Sequence, residues 1–228
     1  MKKYIPNIFT SFNLLCGCLS VVNVASHNLD DACYFIFLAA VFDFLDGFLA
    51  RKLNAFSPLG LQLDSLADMV SFGVAPGFIM FRFIDDHAEN VPELTGEILK
   101  YCMLLVPLFS ALRLAKFNID DKQKEIFYGL PTPANALLLA SLPLIAYKNN
   151  FELLQNPWFI AVTAMVFAIL LILPVKLVAF KFKDYTWNNN RHRYIFLLIC
   201  ILLFITLQFS SVPLIIVLYI VYSLYKTI

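Results

Sequence analysis

Charge is what this sequence lacks most. Asp, Glu, Lys and Arg together make up 14% of its 228 residues, against about 25% in an ordinary soluble domain. With 61% hydrophobic residues and a mean hydropathy of +0.77, that shortage excludes a disordered chain and argues against a water-soluble globule. An excess of either sign is missing too. Lys+Arg number 17 and Asp+Glu 16, with no basic arm, so no nucleic-acid partner is expected. Cysteines stand only at positions 16, 18, 33, 102 and 200, an odd number in apolar surroundings that argues against a disulfide framework. His27, His87 and His192 are isolated and read as loop residues, which makes a His-ligated metal unlike this chain. No repeat or low-complexity tract appears. The first apolar run has no obvious small-residue cleavage site and reads as a retained span.

What is present is a series of uncharged runs, in which Phe alone contributes 23 residues. A helix needs roughly 20 apolar residues to cross a bilayer. On that basis spans are expected at about 7–26, 32–50, 64–84, 97–117, 132–148 and 153–175. Residues 194–225 are too long for one crossing and carry Ser210, Ser211 and Pro213, so two short spans are expected there. The reading is an all-α polytopic membrane protein of about eight transmembrane helices in a single domain, 1–228. Residues 1–175 would form a six-helix catalytic core, followed at 176–228 by a cytoplasmic basic loop and two further helices. With both termini in the cytoplasm, Lys2, Lys3, Arg51, Lys52, Arg113, Lys116, Lys122, Lys124, Lys176, Lys181, Lys183, Arg191, Arg193 and Lys226 fall on that side. Arg82, Lys100 and Lys148 fall on the other. This bias is the positive-inside pattern, and Trp158 and Trp187 stand at span ends as interfacial anchors.

The feature that composition does not explain is residues 41–77, where Asp43, Asp46, Asp64 and Asp68 sit in or beside apolar segments. An Asp at a helix centre costs about 2.5–3.5 kcal/mol on insertion scales. Asp43 and Asp46 are i, i+3 and share one helical face; Asp64 and Asp68 are i, i+4 and share another. Ser57, Pro58 and Gly60 read as the turn between them, so an antiparallel pair would gather four carboxylates at the cytoplasmic end. Four like charges in a low dielectric repel, and hard divalent cations such as magnesium, manganese or calcium are the matching partners. Two such ions would neutralise the cluster and form a known clamp for displacement at phosphorus. Gly47 and Gly60 leave room for a ligand, and Arg51, one turn after Gly47, can pair with a phosphate. Two other readings stand beside this one: Asp64 as the cap of the third span, and the acids as an ion pathway.

The spacing Asp43-x2-Asp46-Gly47-x2-Ala50-Arg51-x8-Gly60-x3-Asp64-x3-Asp68 resembles the signature of the CDP-alcohol phosphatidyltransferase family at every defined position. The resemblance implies an integral membrane enzyme that moves a phosphatidyl group from a CDP-linked lipid to an alcohol and releases CMP. It also implies a bundle of that family's type, two divalent cations (Mg2+ or Mn2+) on the four aspartates, and a homodimer. The segments at 5–17, 71–77, 111–118 and 127–136 are similar to the phosphatidylserine synthase branch of the membrane-embedded kind, which implies CDP-diacylglycerol and L-serine as substrates. Lys116 stands where that branch more often has Arg, and Asn135 where a small apolar residue is commoner.

Carried onto these residues, the resemblance implies that Asp68 is the general base for the serine hydroxyl. Gly47, Ala50 and Gly60 would line the cytidine pocket, and Arg51 would meet the phosphoryl oxygens. Asn7, Thr10 and Asn13 would contact phosphate or nucleotide, or else simply start the first helix. Arg113 and Lys116 would bind the serine carboxylate or a lipid phosphate, or else only set topology. Ser71 and Pro76 are expected to shape the third span. The site would face the cytoplasm, in the cell membrane or inner membrane if bacterial. Rival functions are the same chemistry on glycerol 3-phosphate, inositol phosphate or choline, and an ion or lipid transporter, which would not release CMP.

Overall fold

A computed structural model describes residues 4–119, 126–149, 151–178 and 187–227. Lys2, Lys3, Lys122, Lys124, Lys181 and Lys183 of the basic pattern lie outside them. The chain runs through α1 (Ile5–Ala25), α2 (Leu29–Lys52), α3 (Pro58–Asp68), a π-helical turn (Met69–Val74), α4 (Ala75–Asp85), α5 (Glu93–Cys102) and α6 (Leu105–Ile119). It continues through β1 (Ile126–Tyr128), α7 (Thr132–Asn149), α8 (Pro157–Ile172), β2 (Lys176–Val178), α9 (Trp187–Leu207) and α10 (Ser211–Thr227). α3–α4 and α5–α6 each act as one rod, so the described residues form the expected eight-rod helical bundle. By length and composition, Ile5–Ala25, Leu29–Lys52, Pro58–Asp85, Glu93–Ile119 and Asn190–Tyr225 can cross a membrane, and α8 is a shorter apolar helix. Among the described residues, the one departure from all-helical structure is a two-stranded antiparallel ribbon pairing Phe127 with Leu177.

Several boundaries differ from the sequence reading, each for a local reason. α2 runs unbroken through Asp43 and Asp46 to Lys52. The turn that follows is at 53–56, with Asn54 in the left-handed region (φ 48°). Ser57, Pro58 and Gly60 are therefore not the turn. Ser57 is the N-cap of α3, its Oγ accepting from the Gly60 N–H at 3.0 Å, with Pro58 in the first helical position, where its missing N–H is not needed. The third span thus starts six residues before Asp64, which is an interior residue of α3 and not its cap.

The π turn begins directly after Asp68 and leads into Pro76, a residue that cannot donate to the carbonyl four residues earlier. Ser71 in this turn donates to the Asn13 carbonyl at 2.8 Å, and Gly17 of α1 lies against Ser71 too closely for a Cβ. The fourth span breaks at Met103–Leu104 because Pro107 removes a donor just inside α6. A Cβ on Gly77 of α4 would meet Pro107 Cδ at 2.7 Å, so these two helices touch nearly backbone to backbone. Small residues at crossings are how helices associate in lipid, where no hydrophobic drive separates them from solvent.

The C-terminal region departs most from expectation. α9 already begins at Trp187, so Arg191, His192 and Arg193 lie in its first turns and not in a loop. α9 and α10 reverse at Gln208–Ser210, where Gln208 has φ 49°. Phe196 stacks on Tyr222 at 5.5 Å between ring centroids, which makes the pair antiparallel.

Candidate active site

α2 descends and α3 ascends beside it, and both pack on α1. This arrangement brings carboxylate oxygens of Asp43, Asp64 and Asp68 within 4.8 Å of one another. Asp46, one turn after Asp43, lies within electrostatic range of all three. It is buried, and its Oδ2 has no hydrogen-bond partner. No Lys or Arg forms a salt bridge with any of the four among the described residues. A set of hard oxygens this close, with no cation of the described protein residues in direct ion pair with it, fits a hard metal ion, and the cluster could hold one.

Two cavities meet at these carboxylates. The first, about 160 Å³, lies between α1, α2 and the start of α3, and is lined by Asn7, Thr10, Asp46, Gly47, Ala50, Gly60 and Asp64 among others. A Cβ on Gly60 would stand 3.0 Å from Asn7 Oδ1 and 3.0 Å from Ser57 Oγ, so the pocket has its present shape only with glycine there. Arg51 turns back along α2 over Gly47, with Nη1 3.7 Å from where a Cβ would be, and its charge reaches Asp46. Thr10 donates to the Pro6 carbonyl at 3.2 Å and stands beside Asp46.

Asn13, grouped by sequence with Asn7 and Thr10, goes elsewhere. It is fully buried, and its Nδ2 donates to Asp68 Oδ1 at 3.1 Å. Its own Oδ1 is left without a partner. Asn13 therefore orients Asp68 and does not line the first cavity. Spacing along α1 puts Asn13 one turn beyond Thr10, but only the packing of α1 on α3 shows which of them reaches which group.

The second cavity, about 210 Å³, lies on the other side, between α3, α6 and the start of α7. Asp64 and Asp68 form one wall, and Arg113, Phe117, Asn118 and Thr132 the other. Arg113 is held with care. Its Nε donates to the Leu130 carbonyl at 2.5 Å, and Phe117 lies under the guanidinium at 5.7 Å. Leu130 is itself pinned: its N–H donates to the Leu170 carbonyl at 2.9 Å, and the Gly129 N–H donates to the Val175 carbonyl at 2.8 Å. Gly129 has φ +82° and lies against the Leu171 carbonyl, a conformation and a space that only glycine suits. A free carbonyl in the last turn of α8 and the Val175 carbonyl just before β2 thereby fix the segment that aims Arg113. Lys116, paired with Arg113 in the sequence reading, is exposed and does not line this cavity. Asn118 donates to Ser65 Oγ at 2.8 Å across the rim.

Sequence reasoning missed Thr132, Asn118 and the Leu130 carbonyl. The Pro-Thr-Pro run at 131–133 carried a signal, but it reads first as the start of a helix. A third cavity, about 630 Å³ and almost wholly apolar, lies between α2, α7, α9 and α10. It shares Pro131 with the second.

Comparison with known proteins identifies the family. The family model for CDP-alcohol phosphatidyltransferase matches residues 3–174. The chain is 34% identical over 179 residues to the CDP-diacylglycerol–serine O-phosphatidyltransferase of Bacillus subtilis (strain 168), covering 78% of this chain and 92% of that protein. It is 30% identical over 206 residues to the protein of the same name from Helicobacter pylori (strain 26695), covering 90% and 81%. An archaetidylserine synthase from Methanothermobacter thermautotrophicus is 31% identical over 151 residues, covering 65% of this chain and 61% of that protein. On its signature, its bundle and these relatives, the chain belongs to the CDP-alcohol phosphatidyltransferase family.

Proposed function

We propose that this protein is a CDP-diacylglycerol–serine O-phosphatidyltransferase, making phosphatidylserine and CMP. The observation that carries the reading is that Asp64 lines both polar cavities, so a donor in one and an acceptor in the other would meet at the carboxylates. The relatives named for serine transfer support the choice of acceptor.

The first cavity suits the cytidine diphosphate end of the donor, walled by Gly47, Ala50 and Gly60, with Asn7, Thr10 and Arg51 about its phosphates. The apolar cavity, which adjoins the second cavity at Pro131, suits an acyl chain of the donor that extends past the carboxylates. Asp43, Asp46, Asp64 and Asp68 would hold two divalent cations, Mg2+ or Mn2+. When bound, these would neutralise the diphosphate and polarise its phosphorus oxygens. Serine enters the second cavity with its carboxylate on Arg113, whose planar fork suits a carboxylate. Asp68, held by Asn13, takes the proton of the serine hydroxyl. The serine oxygen forms a bond to the phosphorus that bears diacylglycerol, the bond from that phosphorus to the bridging oxygen breaks, and CMP leaves with the electron pair. Residues 1–175 form the catalytic core, both termini and the site face the cytoplasm, and the enzyme is a homodimer.

The test is CMP release by purified protein given CDP-diacylglycerol, a divalent cation and a panel of alcohols. Serine should support release, and glycerol 3-phosphate, inositol phosphate and choline should not. Release with one of these and not with serine would transfer the reading to that acceptor. Release with none would return the transporter reading.

A further inference from the structure

The second cavity holds one fully buried polar side chain with no task in the reaction above. Thr132, the first residue of α7, lines that cavity. It is 0% exposed, and its Oγ1 has no hydrogen-bond partner. One turn on, at i+3 and so on the same face of α7, Asn135 is also 0% exposed, and neither its Nδ2 nor its Oδ1 is paired. A buried polar group left unpaired costs about 1–3 kcal/mol. Here three such atoms stand within one helical turn, and one of them, Thr132 Oγ1, belongs to the wall where the acceptor is expected. By contrast, Ser141 further along α7 meets the usual need within its own helix, its Oγ donating to the Leu138 carbonyl at 2.6 Å. Thr132 has no such outlet.

We infer that Thr132 is a specificity residue of the acceptor site: its hydroxyl oxygen accepts a hydrogen bond from the α-ammonium of serine. This inference rests on the serine reading of the second cavity. The argument is one of chemical complement. Serine presents a carboxylate, a hydroxyl and an ammonium. Arg113 offers donors only and takes the carboxylate. Asp68 takes the hydroxyl proton. An ammonium has three donors and needs an oxygen acceptor, and the cations, when bound, would draw on the Asp oxygens. Among the described residues of the cavity wall, Thr132 Oγ1 is the buried side-chain oxygen without a partner, whereas Asn118 lies exposed at the rim. Three separate points of attachment also allow the site to reject an alcohol that lacks the ammonium, because its entry would leave Thr132 unpaired.

Thr132→Val replaces the hydroxyl by a methyl of similar shape, Thr132→Ala removes both, and Thr132→Ser keeps the hydroxyl. CMP release is measured for all three in detergent with CDP-diacylglycerol and Mn2+, together with thermal melting in the absence and presence of serine. Val and Ala should raise KM for serine by about tenfold to a hundredfold, the loss expected for a hydrogen bond to a charged group. kcat and KM for CDP-diacylglycerol should stay within about twofold, and Ser should behave as wild type. Without substrate, Thr132→Val should melt no lower than wild type, since it deletes an unpaired polar atom, and serine should no longer raise its melting temperature. The proposal is overturned if Val and Ala keep the serine KM, if Ser fares as badly as Val, if both substrates' KM rise together, or if Val and Ala cannot be recovered folded. Failure of the wild type to use serine at all is a different result: it removes the serine reading and this inference with it.

Discussion

The two ends of the α3–α4 rod treat charge in opposite ways. At the end of α4, Arg82 pairs with Asp85 at 3.2 Å and with Asp86 at 2.5 Å, and Lys100 pairs with Asp85 at 3.0 Å and Glu97 at 2.6 Å. Every member of that network has an opposite charge beside it, and all are partly exposed. At the other end, Asp43, Asp46, Asp64 and Asp68 have each other, an amide from Asn13, the Thr10 hydroxyl beside Asp46 and the more distant Arg51 and Arg113, but no salt bridge among the described residues. A protein can neutralise its own acids when stability is the aim, as it does at Asp85. Leaving four uncompensated in an apolar bundle is destabilising, and such an arrangement persists where a ligand supplies the missing charge.

The sharpest way to break this contrast is Asp68→Asn. CMP release should fall by about 10²–10⁴-fold, the usual contribution of a general base, while the melting temperature stays level or rises because a repelled anion has become neutral. A stable variant with normal turnover would remove Asp68 from the reaction. Metal removal comes next. A tight chelator should abolish CMP release, and added Mn2+ or Mg2+ should restore it. The same ion should stabilise wild type by about 2.7 kcal/mol at a hundred times its Kd and should not stabilise Asp43→Asn or Asp64→Asn. Equal stabilisation of all three would detach the ion from this cluster.

Gly60→Ala places a Cβ 3.0 Å from Asn7 Oδ1 and Ser57 Oγ. It should raise KM for CDP-diacylglycerol by about tenfold and leave that for serine unchanged, if a crowded pocket loses roughly 1.4 kcal/mol of binding. A rise in the serine KM instead would exchange the roles of the two cavities. The smallest effect belongs to the paired end. Asp85→Asn should lower stability by at most about 1 kcal/mol, because these pairs are partly exposed, and leave CMP release unchanged. A large loss of activity would mean that the two ends are coupled.

The eight rods were legible because each is a run of apolar residues, and lipid leaves the backbone no alternative to a helix there. Their ends were less so. Ser57, Pro58 and Gly60 read as a turn, yet Ser57 caps a helix and the other two are inside it, since the same residues serve both purposes. The start of α9 was hidden by a basic stretch that reads as a loop. At the site, the four aspartates stood out because charge in an apolar run is costly wherever it lies. Arg113 and Lys116 looked alike in sequence, and only the Leu130 carbonyl and the burial of α6 separate them. Thr132 carried no signal of its own, because an unpaired hydroxyl is a property of its surroundings.

Sequence alone determined the membrane-spanning helical class, the family signature and the two acidic helix faces, since these follow from composition and from the 3.6-residue period of a helix. Tertiary structure decided which acids bring their oxygens close together, that Asn13 serves Asp68, and that a pinned carbonyl aims Arg113 while Lys116 faces outward. Such choices depend on how helices cross, which is set by close contacts such as Gly17 on Ser71 and Gly77 on Pro107 between residues far apart in the chain.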